Sequence, residues 1–330
     1  NTTVIITYAG PPESNGFGSF NTTTHNGTPV LWTLSEPFGA RDWWPCKQDL
    51  NDKVNSIDVY ITAPSQYTSV TNGLEVSQTT NGSNKTTHFH HGYPIPAYLI
   101  AIAVTNYQIH NQQAGLGTVA SPFFPIVNYM YPETATNNIA SVAITPTIMN
   151  FFEATFTPYP FRNEKYGHAQ FGWGGGMEHT TVSFMTANGL GAYSRSLIAH
   201  ELGHQWFGDK VTCGNWHEIW LNEGFATYLT GISIRELDPN NWRFWRESNL
   251  SSIVSQPDGS VYNPDTTNVS RIFNGRLTYF KGAYLLRMLE WKLGAAAFNQ
   301  GVQNYLLDAN YAYNYAVTDN LKAHLETSGG

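Results

Sequence analysis

Residues 200–204 read His-Glu-Leu-Gly-His, and few five-residue stretches constrain a fold as tightly. Histidines four apart share a face on an α-helix, where positions i and i+4 lie one turn above the other. On such a helix His200 and His204 can grip one zinc ion, with Glu201 beside them as a general base toward water. A catalytic site of this type wants a third protein ligand and an open fourth position. Glu223 lies nineteen residues beyond His204, inside Asn222-Glu223-Gly224-Phe225-Ala226. The surrounding stretch Trp220–Tyr228 is apolar at most positions, so this carboxylate should be buried. Burying it unpaired is costly, and a metal ion resolves that cost. A third ligand of the His-x-x-Gly-x-x-His kind is excluded, because the position its histidine needs holds Lys210.

The rest of the 330 residues must support that helix pair. This length is long for one domain and suits two. Hydrophobic residues make up 41%, which excludes a disordered or low-complexity chain. Charged residues are only 12%, half the usual share of about 25%. Thirty Asn and 34 Thr stand in their place, a surface of amides and hydroxyls that suits a secreted or periplasmic protein. A net charge of −7 excludes bulk attraction to nucleic acid or anionic lipid. The longest apolar run, Ile95–Val104, is too short to span a bilayer. Two cysteines, Cys46 and Cys213, exclude a disulfide scaffold and leave one possible bridge. Seven Asn-x-Ser/Thr sequons hardly exceed the roughly five that the composition predicts by chance.

The first 115 residues read as β-structure. Val4–Tyr8, Ser56–Thr62, Thr86–His90 and Tyr98–His110 are strand-like runs broken by Gly, Pro and Asn-Gly punctuation. The Gln/Gly stretch at Asn111–Gly117 marks a boundary, giving units 1–115 and 116–330. Beyond it Glu133–Phe156 has helical spacing with a kink at Pro146, and strand pieces Ala169–Trp173 and Thr180–Phe184 flank a glycine turn. Helices are expected at about 193–208, 217–236, 240–255, 277–293, 295–308 and 318–327. The fold class is α+β, a β-rich unit followed by a mixed, helix-rich one. A second histidine group, His88, His90 and His91, has no carboxylate or Cys at ligand spacing in the sequence, so no second metal site is expected there.

The stretch from His200 through Gln205-Trp206-Phe207-Gly208-Asp209 to Thr212, followed by Trp220-Leu-Asn-Glu-Gly-Phe-Ala226, resembles the aminopeptidase N family of gluzincin zinc metallopeptidases. That family also contains leukotriene hydrolase. The match extends to Thr33–Cys46, Pro160–Tyr166, Gly175–His179 and Tyr279–Ala283, nearly the whole chain. It implies part of a saddle-like β-domain before a thermolysin-like catalytic domain, one zinc ion, and His200, His204 and Glu223 as its ligands with Glu201 as base. The implied activity is hydrolysis of the first peptide bond of a peptide with a free α-amine. An idle zinc-fold binding module, an endopeptidase and an epoxide hydrolase are the alternatives. An idle relative typically loses the base or the tyrosine, and the chain keeps both Glu201 and Tyr279.

The resemblance also assigns the exopeptidase parts. Gly175-Gly176-Met177-Glu178-His179 matches the family's Gly-x-Met-Glu-Asn, in which the Glu binds the substrate's ammonium and the glycine turn lies along its backbone. His179 departs from the usual Asn, and its imidazole could pair with Glu178. Glu36, in Thr33-Leu-Ser-Glu-Pro-Phe-Gly-Ala-Arg41, aligns with a second ammonium-binding residue. Tyr279, in Tyr-Phe-Lys-Gly-Ala, aligns with the hydroxyl that stabilises the oxyanion. The segments carrying Cys46 and Cys213 should converge on the cleft, so a disulfide between them is expected. Family members run longer at both ends, so the β-unit is expected to lack upstream strands, and the catalytic unit to stop short and leave apolar surface exposed.

Overall fold

The computed structural model describes residues 2–186 and 194–330. The first half is built from hairpins. Strands β1 (Ser19–His25) and β2 (Thr28–Leu34) meet through Asn26-Gly27, with φ of 44° and 80°. Two positive φ values match the twist of the flanking strands, which is why Asn-Gly is favoured there. β3 (Ile57–Pro64), β4 (Thr68–Thr71), β5 (Leu74–Asn81), β6 (Asn84–His91) and β7 (Ile102–Thr105) follow. They form a four-stranded sheet ordered β1-β2-β7-β4 and a three-stranded sheet ordered β3-β6-β5.

The second half is organised around a five-stranded sheet. Its strands are β8 (Gln108–Ala114), β9 (Phe124–Met130), β10 (Tyr166–Phe171), β11 (Gly176–Met177) and β12 (Ser183–Thr186), in the order β11-β12-β10-β9-β8. β8 lies before residue 115 yet pairs along its length with β9, so this sheet reaches back across the division read from the sequence. Between β9 and β10 run α1 (Ala135–Val142) and α2 (Thr145–Thr155). Pro146 opens α2, where its missing N–H costs nothing, so the expected kink is a break between two helices.

The remaining elements are mainly helical: α3 (Arg195–His204), α4 (Trp220–Leu237), α5 (Pro239–Val254), α6 (Val269–Ile272), α7 (Gly282–Leu293), α8 (Ala295–Leu307) and α9 (Thr318–Gly329). A π-helical segment, Gly275–Lys281, leads into α7. β13 (Val211–Cys213) and β14 (Asn314–Ala316) pair in parallel. The helix expected from 193 has its first residue outside the described ones; α3 begins with Ser194 accepting a hydrogen bond from the Leu197 N–H at 3.0 Å. One apolar core runs through both halves, from Val30 and Trp32 to Phe225 and Leu325. Met288, Trp291 and Leu307 stand exposed on α7 and α8. No helix among the described residues is long and apolar enough to cross a membrane.

Two expectations fail. Val4–Tyr8 forms no strand; residues 2–9 are exposed and make no ladder, and a strand without a partner has no hydrogen bonds to hold it. Cys46 and Cys213 are both free. Cys213 sits in β13 with its side chain in the core, whereas Cys46 is half-buried at the rim of a separate cavity beside Arg41 and Lys47. Burial raises both thiols, Cys46 to about 11.

Candidate active site

α4 is buried on every side from Trp220 to Ile234, so it needs close neighbours all round. α3 packs along one flank, and α7 crosses on another where Gly224 meets Gly282. A Cβ on either glycine would stand 3.0 Å from the other's Cα, so a side chain at either would push the helices apart by a few tenths of an ångström. The π-helical segment that leads into α7 carries Tyr279 to the metal-binding face of α3. The Tyr279 ring lies 5.9 Å from that of His200, nearly parallel.

On the facing turns of α3 and α4 three side chains converge. His200 Nε2 and His204 Nε2 are 3.1 Å apart, and Glu223 Oε2 lies 3.1 Å from the first and 3.2 Å from the second. A tetrahedral zinc site with bonds of about 2.0–2.1 Å requires ligand atoms roughly 3.3 Å apart. The triad therefore fits such an ion with little adjustment. His204 Nδ1 donates to the Phe207 carbonyl at 3.1 Å, which leaves Nε2 as the lone-pair nitrogen. Burial alone would raise Glu223, but His204 and then His200 outweigh it and hold the carboxyl at about 2.

Beside the triad lie three further buried carboxylates with oxygens that have no hydrogen-bond partner among the described residues: Glu36 Oε1, Glu178 Oε1 and Glu201 Oε2. Desolvation raises all three, and each feels the others or Glu223 as like charge. Orphaned acceptors in a buried anionic cluster call for donors and cations that the chain itself does not supply. Glu201 presses against the glycine turn: a Cβ at Gly176 would stand 2.2 Å from its Oε1. Gly176 and Met177 form β11, an edge strand paired on one side with β12. Glu36 follows β2 and precedes Pro37 across a cis peptide bond. The ten residues given catalytic, substrate-binding or metal-ligand roles in the sequence all line one cleft: Glu36, Gly175, Gly176, Met177, Glu178, His200, Glu201, His204, Glu223 and Tyr279.

His179 does not pair with Glu178. Both its ring nitrogens lack a partner among the described residues, its ring meets Phe184 edge-on at 4.4 Å, and burial holds it neutral with a pKa of about 3. The sequence reading missed the groups that tie the site together. Gln205 Nε2 donates to the Glu178 carbonyl at 3.1 Å, while its Oε1 accepts from the Thr181 N–H at 2.9 Å and the Tyr159 hydroxyl at 3.2 Å. The residue after the metal helix thus fixes the Glu178 loop. Asn222 accepts from the Cys213 N–H at 3.0 Å and donates toward the Tyr98 hydroxyl at 3.4 Å. Lys53, from the β-rich half, reaches the Asp209 carbonyl at 2.9 Å. Gln205 follows directly on His204 and precedes only two apolar residues, Trp206 and Phe207, so no local pattern marks its role.

The second histidine group is built differently. His88 Nε2 and His90 Nδ1 both contact Asp58 Oδ1, at 2.8 and 3.1 Å, and Asp58 comes from the opposite strand. A carboxylate does stand beside these histidines, contrary to the sequence reading, because cross-strand register brought it there. His91 points to the other face, where it pairs with Glu164 at 2.7 Å.

Known proteins resemble this chain in sequence and in fold. The model described as "Peptidase family M1 domain" matches residues 140–330, and "Peptidase M1 N-terminal domain" matches residues 1–99. An aminopeptidase A from Gloydius brevicauda is 30% identical over 91% of this chain and 33% of its own length. A human glutamyl aminopeptidase is 28% identical over 98% of this chain and 35% of its own. The chain thus spans about a third of the length of these relatives. A structure of an M1 zinc metallopeptidase mutant from Deinococcus radiodurans, bound to a Tyr-Ser-Ala substrate, superposes with a TM-score of 0.83. It is 25% identical, over 97% of this chain and 72% of that one.

Proposed function

From the premise that the chain belongs to peptidase family M1, we propose that it is the catalytic portion of a zinc aminopeptidase that removes the first residue from peptides with a free α-amine. One observation carries this reading: Glu36 and Glu178, each with an orphaned buried oxygen, share a cleft with a metal-shaped triad. His200, His204 and Glu223 would hold one zinc ion. When bound, the ion supplies Lewis-acid polarisation of the scissile carbonyl and acidifies a water.

The chain's own residues do the rest. Glu36 and Glu178 accept hydrogen bonds from the substrate ammonium, which supplies the charge the two carboxylates lack. The ammonium in turn fixes where the first carbonyl lies. β11 offers its open edge to the substrate backbone as an added strand. Glu201 takes a proton from the attacking water and later delivers it to the leaving amine, so it ends the cycle as it began. The Tyr279 hydroxyl donates to the carbonyl oxygen as negative charge develops on it. The amide- and hydroxyl-rich composition supports a secreted or periplasmic setting.

Comparing a free peptide with its N-acetylated twin tests the reading. Only the free peptide should be cleaved; equal cleavage of both would leave an endopeptidase and remove Glu36 and Glu178 from the site. Glu178→Gln should impair binding and turnover together while zinc content stays intact, and Glu36→Gln should be milder.

A further inference from the structure

The cleft encloses about 630 Å³ and has one wall built of aromatic rings. Phe17, on the loop before β1, lies 5.3 Å from Trp173 and 5.3 Å from Phe273, ring centre to ring centre. Trp173 is held against the glycine turn: a Cβ at Gly175 would stand 2.5 Å from its ring. Leu34 and Met177, which closely precede Glu36 and Glu178, line the same cleft. The three rings are half-buried and still present surface to the cleft.

A substrate's Cα lies one bond, about 1.46 Å, from its amine. An amine seated between Glu36 and Glu178 therefore starts its side chain within a few ångströms of these two residues, inside the cleft that the rings also line. No Lys or Arg lines the cleft among the described residues; its charged lining groups are Glu36, Glu178, Glu201, Glu223 and the two histidines. An acidic first side chain would be desolvated against rings, with carboxylates as its closest charged neighbours. A basic one would find no carboxylate free of another task, although a cation can still rest on the Trp173 face. A large apolar side chain meets neither problem, and an aromatic one adds ring–ring contact.

We infer that Phe17, Trp173 and Phe273 receive the side chain of the substrate's first residue, and that they select large apolar residues, aromatic ones above all, and reject acidic ones. This rests on the amine-anchor reading given above. Phe17 and Trp173 are specificity residues supplied by segments outside the metal-binding motifs.

The test uses the zinc-loaded full chain and aminoacyl amides of Phe, Tyr, Leu, Ala, Lys and Glu. Values of kcat/KM for Phe, Tyr and Leu should exceed that for Ala by roughly tenfold and that for Glu by at least about a hundredfold, with Lys between. Calorimetry with the free amino acids should give the same order, L-phenylalanine well ahead of L-glutamate. Phe17→Ala should compress the Phe-to-Ala ratio toward unity. Phe17→Arg, which puts a cation in the wall, should raise the Glu-to-Phe ratio at least tenfold. Glu cleaved as well as Phe, or ratios unmoved by both substitutions in folded protein, would overturn the inference. The parent reading fails differently, by no cleavage of any free aminoacyl amide or by equal cleavage of N-acetylated peptides.

Discussion

The molecule holds two pairs of histidines, each joined to a carboxylate, and they differ in almost everything that follows from backbone geometry. His200 and His204 are four apart on a helix; His88 and His90 are two apart on a strand. Both spacings put two imidazoles on one face. On the helix the rings converge with Glu223 into a triangle of 3.1–3.2 Å edges, inside a cleft. On the strand they share one oxygen of Asp58, whose side chain is 50% exposed. Burial makes the first group expensive without a cation and thereby fits it to hold one. Solvent satisfies the second as it stands. Residue types and spacing do not by themselves define a metal site; desolvation and convergence decide.

The largest expected effect tests that contrast directly. His204→Ala should lose both the metal and the activity, whereas His88→Ala should keep one zinc per chain and parental turnover. Metal analysis of the two purified variants checks this, and full metal content in His204→Ala would break the ligand assignment. Next comes Glu201→Gln, which leaves the triad intact. Metal content should stay at one ion per chain while turnover falls by roughly 10²–10⁴-fold, the span typical of a lost general base. Tyr279→Phe removes one hydroxyl and little volume. A loss in kcat of about 10²–10³ with KM nearly constant is expected, and wild-type turnover would return Tyr279 to a packing role.

What the sequence disclosed follows the same divide. The helical group was legible because its ligands lie within 24 residues and one period governs them. Glu36, Glu178 and Tyr279 came only from the resemblance, since their approach depends on tertiary packing that no local pattern encodes. Asp58 was missed because strand register is a property of two segments and the sequence was read one segment at a time. β1 and β2 escaped notice although Asn26-Gly27 marks their turn, because the polar run Asn21-Thr22-Thr23-Thr24 gives the first strand no apolar alternation. The Cys46–Cys213 bridge failed for a related reason: nearness of two segments to one cleft says nothing about where their Cβ atoms point.

The helical pair also needs scaffolding that the strand pair lacks, and Gln205 is the place to see it. Gln205→Leu keeps the volume but abandons the Glu178 carbonyl, the Thr181 N–H and the Tyr159 hydroxyl. Leaving buried partners unmade costs about 1–3 kcal/mol for each group left unsatisfied. A lower denaturation midpoint is expected, together with a raised KM because the Glu178 loop loosens. Unchanged stability and KM would mean that water replaces the amide and that the loop is held elsewhere.

The smallest effect belongs to Asp58. His88 and His90 hydrogen-bond to its carboxylate and hold its pKa below the ordinary aspartate value. A carboxyl depressed in the folded state contributes stability that is present above its unfolded pKa and lost as pH falls through the folded one. The contribution of this group should therefore be constant at neutral pH and fade only under acid conditions, at pH values below the usual carboxylate range. Asp58 lies at the surface, where solvent and salt screen such pairs, so the whole effect should be slight. Asp58→Asn should leave zinc content and turnover at parental values and lower the neutral-pH melting temperature only slightly, the two proteins converging as pH falls. Its melting temperature should fall less steeply than the parent's between about pH 4 and pH 2, because the variant has no carboxylate there to protonate. Melting curves across that range check the sign. A variant that loses metal or activity would mean that the strand histidines are coupled to the cleft, and the separation between the two histidine groups would no longer hold.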